Sequence, residues 1–88
     1  MVEIEYYENG NVMYEIPHKN DEKHGVEKGY YENGNVWYET PFVKGKRHGV
    51  AKGYDENGNL IKEIIYENGE LVTPNIWLGV TAENQRKE

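Results

Sequence analysis

The chain contains no cysteine and no serine, and it has no long apolar run. Without cysteine there is neither a disulfide framework nor thiol chemistry, and without serine there is no serine nucleophile. No apolar stretch approaches the ~20 residues that cross a bilayer, so we expect no membrane span and no signal peptide. These absences predict an intracellular protein and exclude most classes of enzyme.

Basic residues are also in short supply. The 88 residues include 16 acidic and 10 basic side chains, which gives a formal net charge of −6, and only 36% are hydrophobic. Such a chain can form one small domain with a thin core. We expect no direct binding to nucleic acid, because phosphate contacts need a surplus of lysine and arginine. Eight tyrosines and two tryptophans still predict an ordered protein, since acidic disordered segments are poor in aromatic residues.

A repeat of 24 residues covers most of the chain. Residues 6–29 align without a gap on residues 30–53, and fifteen of the twenty-four positions are identical. Because the unit is too short to fold alone, successive copies must pack on one another. We assign hairpin repeats to 1–72, with copies at 6–29, 30–53 and 54–72, and a C-terminal capping strand and polar tail to 73–88.

Each copy contains Asn-Gly, which favours a two-residue type I′ turn because both central residues need positive φ. The pairs are Asn9-Gly10, Asn33-Gly34 and Asn57-Gly58, with Asn68-Gly69 half a period later. Polar segments at 19–21 and 44–46 predict a second set of longer, less regular turns. The fold class is therefore all-β, a single-layer antiparallel meander of repeated β-hairpins with six to eight strands. Strands are expected at 2–7, 12–17, 25–31, 36–42, 49–55, 60–66, from 71 and at 76–80, with Pro17 and Pro41 ending two of them.

Counting outward from a two-residue turn predicts the register of each hairpin. Tyr30 then lies opposite Trp37, and Tyr31 lies opposite Val36. Other pairs from the same count are Tyr6 with Met13, Lys28 with Glu39, and Lys52 with Glu63. One face should carry a stripe of Tyr6, Met13, Tyr30, Trp37, Tyr54 and Ile61, and the other a stripe of Tyr7, Val12, Tyr14, Tyr31, Val36, Tyr38 and Leu60.

Two surfaces are candidates for binding a partner. The first is the aromatic stripe of Tyr6, Met13, Tyr30, Trp37 and Tyr54, because such residues anchor protein interfaces; the alternative is that the rings only stabilise the sheet. The second is an acidic edge, because alternate turns of a meander emerge on the same side. Glu8, Glu32, Asp55 and Glu56 should line this edge, and Lys19, Lys23, Lys44, Lys46 and Arg47 the opposite one. Such a dipolar plate could dock on a basic groove, although the charges could equally be solvated turn residues.

The histidines do not form a pattern that predicts a metal site. His24 and His48 are one repeat apart, so they should lie on alternate strands ~10 Å apart, and His18 is expected in a turn. We expect no metal and no cofactor, and a structural role for His24 and His48 beside Gly25 and Gly49. The carboxylates fall in open turns, so no catalytic residue is predicted.

Two blocks of the second copy resemble the bacterial variant of the MORN repeat. They are Tyr30-Tyr31-Glu32-Asn33-Gly34-Asn35-Val36 and Gly45-Lys46-Arg47-His48-Gly49-Val50, followed by Lys52-Gly53-Tyr54. The sequence departs from that pattern at Asn20-Asp21-Glu22-Lys23 and at Val26 and Val50, where tryptophan is common in the variant. The resemblance implies a meander of hairpins that contacts proteins or lipids and has no catalytic residue. The variant recurs in antitoxin-like partners of secreted toxins.

The resemblance leads to one principal hypothesis and two alternatives. The principal hypothesis is a protein that neutralises a protein partner in the cytoplasm of a bacterium. The first alternative is a phage-encoded inhibitor of a host defence nuclease, an anti-CRISPR type of acidic nucleic-acid mimic acting in an infected host. Its basis is the acidity of the chain and a weak likeness of residues 74–85 to a segment of phage-associated proteins. The second alternative is a structural module that forms a homodimer by edge-to-edge pairing.

Overall fold

The computed structural model describes residues 1–72 and the backbone of residues 76–77. These residues form β-strands and turns, and none of them is helical. The strands are β1 (Val2–Tyr6), β2 (Val12–Lys19), β3 (Glu22–Lys23), β4 (Gly25–Tyr30), β5 (Val36–Val43), β6 (Lys46–Arg47), β7 (Gly49–Tyr54), β8 (Leu60–Glu67), β9 (Glu70–Leu71) and β10 (Ile76–Trp77).

The strands form a single open antiparallel sheet. Its main path follows the order β1-β2-β4-β5-β7-β8-β10, and β3, β6 and β9 extend the pairing of β2, β5 and β8. With principal extents of 42 × 33 × 16 Å, the molecule is a plate one layer thick. The predicted fold class is confirmed.

The C-terminal capping strand was predicted at 76–80. Ile76 pairs with Glu63 and Trp77 with Lys62, so β10 adds to the sheet beyond β8. The rest of that predicted strand and the predicted polar tail lie outside the described residues.

The sheet has almost no enclosed interior. Among residues 1–72, Ala51 is the one buried hydrophobic side chain, with 7% of its surface exposed. Large side chains instead lie over glycines of the neighbouring strand: a Cβ added at Gly29 would overlap the ring of Tyr38. Local cover of this kind replaces the deep core that the composition does not allow.

The Asn-Gly pairs at 9, 33 and 57 do not form the two-residue turns predicted for them. Tyr31 accepts a hydrogen bond from the N–H of Gly34 (3.0 Å) and donates its own N–H to Asn35 (2.8 Å), which closes a three-residue loop. Gly34 has φ of 96°, whereas Asn33 has no positive φ. This is a type I turn followed by a left-handed glycine, which also uses Asn-Gly, so the pair alone does not specify the loop length.

The two-residue turns lie at the opposite edge of the sheet, where longer and irregular turns were predicted. Both central residues have positive φ in Asn20-Asp21 (54° and 68°), Lys44-Gly45 (51° and 83°) and Asn68-Gly69 (52° and 90°). A type I′ turn requires this conformation. The prediction is therefore confirmed for Asn68-Gly69 and wrong for the other two segments.

The three-residue loops change the register beside them. Tyr30 pairs with Val36, and the register then shifts by one residue, so that Gly29 pairs with Tyr38 and Lys28 with Glu39. The predicted Tyr30–Trp37 and Tyr31–Val36 pairs are wrong. The predicted pairing of Lys28 with Glu39 is confirmed. The loop has one residue more than predicted, and the unpaired residue at position 37 restores the predicted register beyond it.

The other hairpins repeat this outcome. Tyr6 pairs with Val12 and not with Met13, so that predicted pair is also wrong. Lys52 pairs with Glu63 as predicted, because it lies beyond the shift.

The prolines do not end their strands as predicted, because β2 and β5 each continue for two more residues. The carbonyl of Pro17 accepts the N–H of His24 (3.0 Å). The neighbouring Gly25 has φ of 112°, and a Cβ there would lie 3.0 Å from Cγ of Pro17. Each proline therefore lies opposite a glycine kink, and the strand pairing resumes on both sides of it.

Candidate functional site

The predicted aromatic stripe is divided by the register shift. Tyr6, Tyr30 and Tyr54 were predicted for one face, and Val12, Val36 and Leu60 for the other. The structure pairs them with each other, in the order Tyr6–Val12, Tyr30–Val36 and Tyr54–Leu60, so residues from the two predicted stripes lie side by side. Trp37 is the extra residue of its hairpin. Its ring contacts Tyr38 edge-on, with 5.2 Å between ring centroids, and lies 6.0 Å from the ring of Tyr31.

Tyr30 and Tyr54 have their hydroxyls engaged. Tyr30 donates to Glu15 (2.9 Å) and Tyr54 to Glu39 (3.1 Å). Burial, and next the hydrogen bond to the glutamate, raises the pKa of both tyrosines. These two rings are half-buried parts of the sheet.

The other members of the predicted stripe differ in exposure. Met13 is half-buried. Tyr6 and Trp37 expose 57% and 50% of their surface. Of the five, these two offer the most surface to a partner.

A groove of about 340 Å³ opens on the face of the sheet that carries Tyr38. Its floor is formed by the small residues Ala51 and Gly53 of β7. The walls come from β5 and β8, and Trp37 stands at one end. The lining includes Tyr31, Trp37, Tyr38, Thr40, Arg47, Ile61, Lys62, Ile64 and Tyr66.

The copies that matter for the groove are counted from β3 and β6, so that the second copy is residues 22–45 and the third copy is residues 46–69. The groove exists because the third copy, counted in this way, departs from the second at two positions. In the second copy, the Glu27 carboxylate occupies the face beside Tyr38 and accepts hydrogen bonds from the Tyr38 hydroxyl (2.6 Å) and from Lys23 Nζ (3.1 Å). One repeat later Ala51 replaces Glu27 and Lys62 replaces Tyr38. The sequence prediction missed this site, although aligning the two copies shows both differences.

The charged residues that line the groove are all cationic. Arg47 lies over the ring of Tyr66, with 5.2 Å from Cζ to the ring centroid. Lys62 also lines it, whereas the Lys52 side chain lies on the opposite face of β7, in register with Glu39 and Glu63. The groove is therefore an aromatic, positively charged site in a protein of net charge −6.

The three-residue loops stack at the edge predicted to be acidic. Asn33 and Asn35 donate through Nδ2 to the carbonyl of Glu56 (3.0 and 2.8 Å), and Asn9 and Asn11 do the same to Glu32. Glu8, Glu32 and Glu56 occupy equivalent exposed positions in successive loops. The structure thus brings these three glutamates to one edge.

Asp55 lies at the same edge, but its carboxylate closes its own loop. It accepts the backbone N–H groups of Asn57 and Asn59 (2.9 Å each) and the Asn59 amide (3.1 Å). The hydrogen bond from the Asn59 backbone, followed by that from its side chain, lowers the pKa of Asp55. Its role in the structure is that of a loop cap.

The opposite edge has mixed charge, not the basic charge predicted for it. The five predicted cations do lie there, in turns, in short strands or, for Lys19, at the end of β2, but Asp21, Glu22, Glu67 and Glu70 lie there too. Lys23 is paired with Glu27 and lies 4.9 Å from the Phe42 ring centroid. The predicted dipole is reduced to a cluster of cations at 44–47.

His24 and His48 connect successive copies. Nδ1 of His24 accepts the N–H of Lys44 (3.4 Å), and Nδ1 of His48 accepts that of Asn68 (3.2 Å). These contacts fit the structural role predicted for both residues. His18 lies in β2, not in a turn, 3.2 Å from a Glu3 carboxylate oxygen. Within 1–72, no cluster of three or more histidine or acidic side chains could hold a metal ion.

The comparisons with known proteins gave one match. A repeat family described as MORN repeat variant matches residues 1–20, 23–44 and 47–68. No curated protein and no solved structure matches the chain. Over the part of the chain that the structure describes, there is no helix long and apolar enough to cross a membrane.

Proposed function

Because the chain belongs to the MORN repeat variant family, whose repeats are generally non-catalytic modules that bind proteins or membranes, we propose that it neutralises or inhibits a partner protein. The partner in this proposal is a toxin, as the antitoxin-like resemblance implies. Binding is stoichiometric and requires no cofactor.

The observation that carries the proposal is the aromatic cluster at the end of the groove, in which the exposed Trp37 contacts the half-buried Tyr31 and Tyr38. Trp37 is half exposed although its ring contacts two tyrosines. Tryptophan, tyrosine and arginine are the residues that most often dominate the binding energy of an interface. A partner that covers Trp37 would bury apolar surface that the single-layer sheet leaves in water.

A capture experiment followed by reconstitution tests the proposal. The tagged chain and its Trp37→Ala variant are used to capture proteins from a lysate of the source cells. Each captured protein is then expressed alone and together with the chain. The expected result is a growth-inhibiting protein that the chain neutralises and that the Trp37→Ala variant binds at least about tenfold more weakly. A captured partner whose activity the chain leaves unchanged would contradict the proposal.

The acidic edge favours a second candidate function, inhibition of a nuclease by mimicry of nucleic acid. It is motivated by the stacked, exposed Glu8, Glu32 and Glu56. For this function the Glu32→Lys, Glu56→Lys double variant should lose the partner, whereas Trp37→Ala should keep it. The reverse result assigns the partner to the aromatic surface.

A homodimer is tested separately, since β1 pairs only with β2 among the described strands. Antiparallel self-pairing centred on Ile4 would place Glu3 of one copy opposite Glu5 of the other, which is unfavourable. Analytical ultracentrifugation at high concentration should therefore show a monomer. A dimer that Glu5→Lys strengthens, because each Glu3 would then face a lysine, would support the structural alternative.

A further inference from the structure

We infer that the groove over β7 binds a carboxylate from an acidic segment of a partner protein. This inference rests on the proposed function and specifies the chemistry of the partner. It comes from comparing the second copy of the repeat with the third, residue by residue.

The second copy contains its own carboxylate at this position. Glu27 is held by the hydroxyl of Tyr38 (2.6 Å) and by Nζ of Lys23 (3.1 Å). Lys23 in turn lies over the ring of Phe42, 4.9 Å from its centroid. An aromatic ring, a cation and a hydrogen-bond donor therefore surround one internal carboxylate.

The third copy retains the surroundings and lacks the carboxylate. Arg47 takes the position of Lys23 and lies over Tyr66, which takes the position of Phe42, at the similar distance of 5.2 Å. Lys62 replaces Tyr38, which adds a second positive charge, while Ala51 replaces Glu27. The space left by this replacement is the groove, and a guanidinium is suited to bind a carboxylate.

The rest of the lining favours a polypeptide as the source of the carboxylate. Ala51, Ile64 and Tyr66 provide apolar surface beside the cations, and Trp37 and Tyr38 extend that surface along β5. A strand-like segment with an aspartate or glutamate next to an apolar side chain matches both features. A free inorganic anion would use only the cations.

Adjacent residues of β7 supply a matched pair of test variants. Ala51→Glu restores the residue of the second copy and occupies the groove with an internal carboxylate. Val50→Glu adds the same charge one residue away on the opposite face, at a side chain that is 43% exposed. Because the second copy accommodates Glu27, we expect Ala51→Glu to fold with no loss of stability.

The experiment uses display selection with the full chain as bait and random peptides of about eight residues, the length of its longer strands. Selected peptides should be enriched in aspartate or glutamate next to leucine, phenylalanine or tryptophan. The best binder is then synthesised together with its Glu→Gln or Asp→Asn form, and binding is measured by calorimetry. Inorganic phosphate, phosphatidylserine vesicles and a DNA duplex are measured in parallel.

The expected results are specific to each variant. Ala51→Glu and the amide form of the peptide should each weaken binding by about tenfold or more, and Val50→Glu should change it by less than about twofold. Arg47→Gln should also weaken binding, and Arg47→Lys, which recreates Lys23, should restore most of it.

Several results would overturn the inference. One is a selection that yields no binder, or binders without acidic residues. Another is that Ala51→Glu and Val50→Glu weaken peptide binding equally. A third is that Ala51→Glu weakens the binding of phosphate, vesicles or DNA but not that of the peptide. A captured cellular partner that binds Ala51→Glu as tightly as the original chain would refute the groove and leave the proposed function intact. Peptide binding that requires the carboxylate, without any cellular partner that the chain inhibits, would support the groove and refute the proposed function.

Discussion

The hydroxyl of Tyr31 donates a 2.7 Å hydrogen bond to the backbone carbonyl of Tyr54, one repeat later in the chain. Tyr7 makes the equivalent bond to Tyr30 (2.5 Å). Each bond joins a loop of one copy to the strand of the next, so it contributes to the interface between copies and not to either copy alone. In a sheet without a deep core, such interfaces hold much of the cooperativity.

Removing this hydroxyl should destabilise the chain measurably. We expect Tyr31→Phe to lower the free energy of unfolding by about 1 kcal/mol, because the carbonyl of Tyr54 loses its partner. The measurement is urea unfolding followed by tryptophan fluorescence. Tyr6→Phe is the control, since Tyr6 is 57% exposed and its change should stay within about 0.5 kcal/mol. Equal effects of the two variants would contradict the role of the bond.

Two equivalent glycines should respond differently to alanine. A Cβ at Gly29 would overlap the ring of Tyr38, so Gly29→Ala should cost about 1–3 kcal/mol and displace that ring from Glu27. At Gly53 the nearest atom is Cε of Lys62, at 3.5 Å, so Gly53→Ala should cost less than about 1 kcal/mol. Urea midpoints of the two variants decide the matter, and the reverse order would show that Tyr38 does not lie over Gly29.

The turn types give a prediction in which one variant stabilises the chain. Asp21 has φ of 68° in a two-residue turn, so Asp21→Gly should raise stability by about 0.5–1 kcal/mol. Asn33→Gly is the contrast, because it removes the bond that Oδ1 of Asn33 accepts from the N–H of Asn35 and the bond that its Nδ2 donates to the carbonyl of Glu56. We expect that change to lower the thermal midpoint. Equal responses would mean that the two turns have the same geometry.

Alkaline pH should unfold the chain through its tyrosines. Burial, and next the hydrogen bond to Glu27, raises the pKa of Tyr38 above its ordinary value of 10.0. The stability that Tyr38 contributes is complete at pH values below the pKa of this tyrosine in the unfolded chain. It is lost as the pH rises above that pKa, because the unfolded state then releases a proton that the native state retains. Unfolding free energies between about pH 9 and 11 should fall for the original chain and less steeply for Tyr38→Phe. A parallel decline in both proteins would place the cause elsewhere.

Much of the fold follows from local patterns that the sequence displays. The strands and the Lys28–Glu39 register could be predicted because the repeat and its β-formers agree with one another. The loop length could not, because Asn-Gly suits both the two-residue turn at Asn68 and the three-residue loop at Asn33. That single ambiguity also placed Trp37 opposite Tyr30 in the prediction.

The groove was missed for a different reason. Arg47, Ala51 and Lys62 are unremarkable as residue types, and none belongs to a motif. Their meaning appears only when each is compared with its counterpart in the second copy and the face it occupies is known. Repeats make such a comparison possible from sequence, but the pairing of Tyr38 with Glu27 had to be seen in the structure.

The cap formed by Asp55 has a consequence for how the chain could grow. Tyr7 and Tyr31 reach forward to the next copy, whereas Asp55, at the equivalent position, bonds within its own loop among the residues that the structure describes. The two tyrosine bonds thus join the first copy to the second and the second to the third. Duplication of residues 30–53 within the gene would insert a unit whose two boundaries already match, so the array could lengthen or shorten in evolution without new side chains being selected.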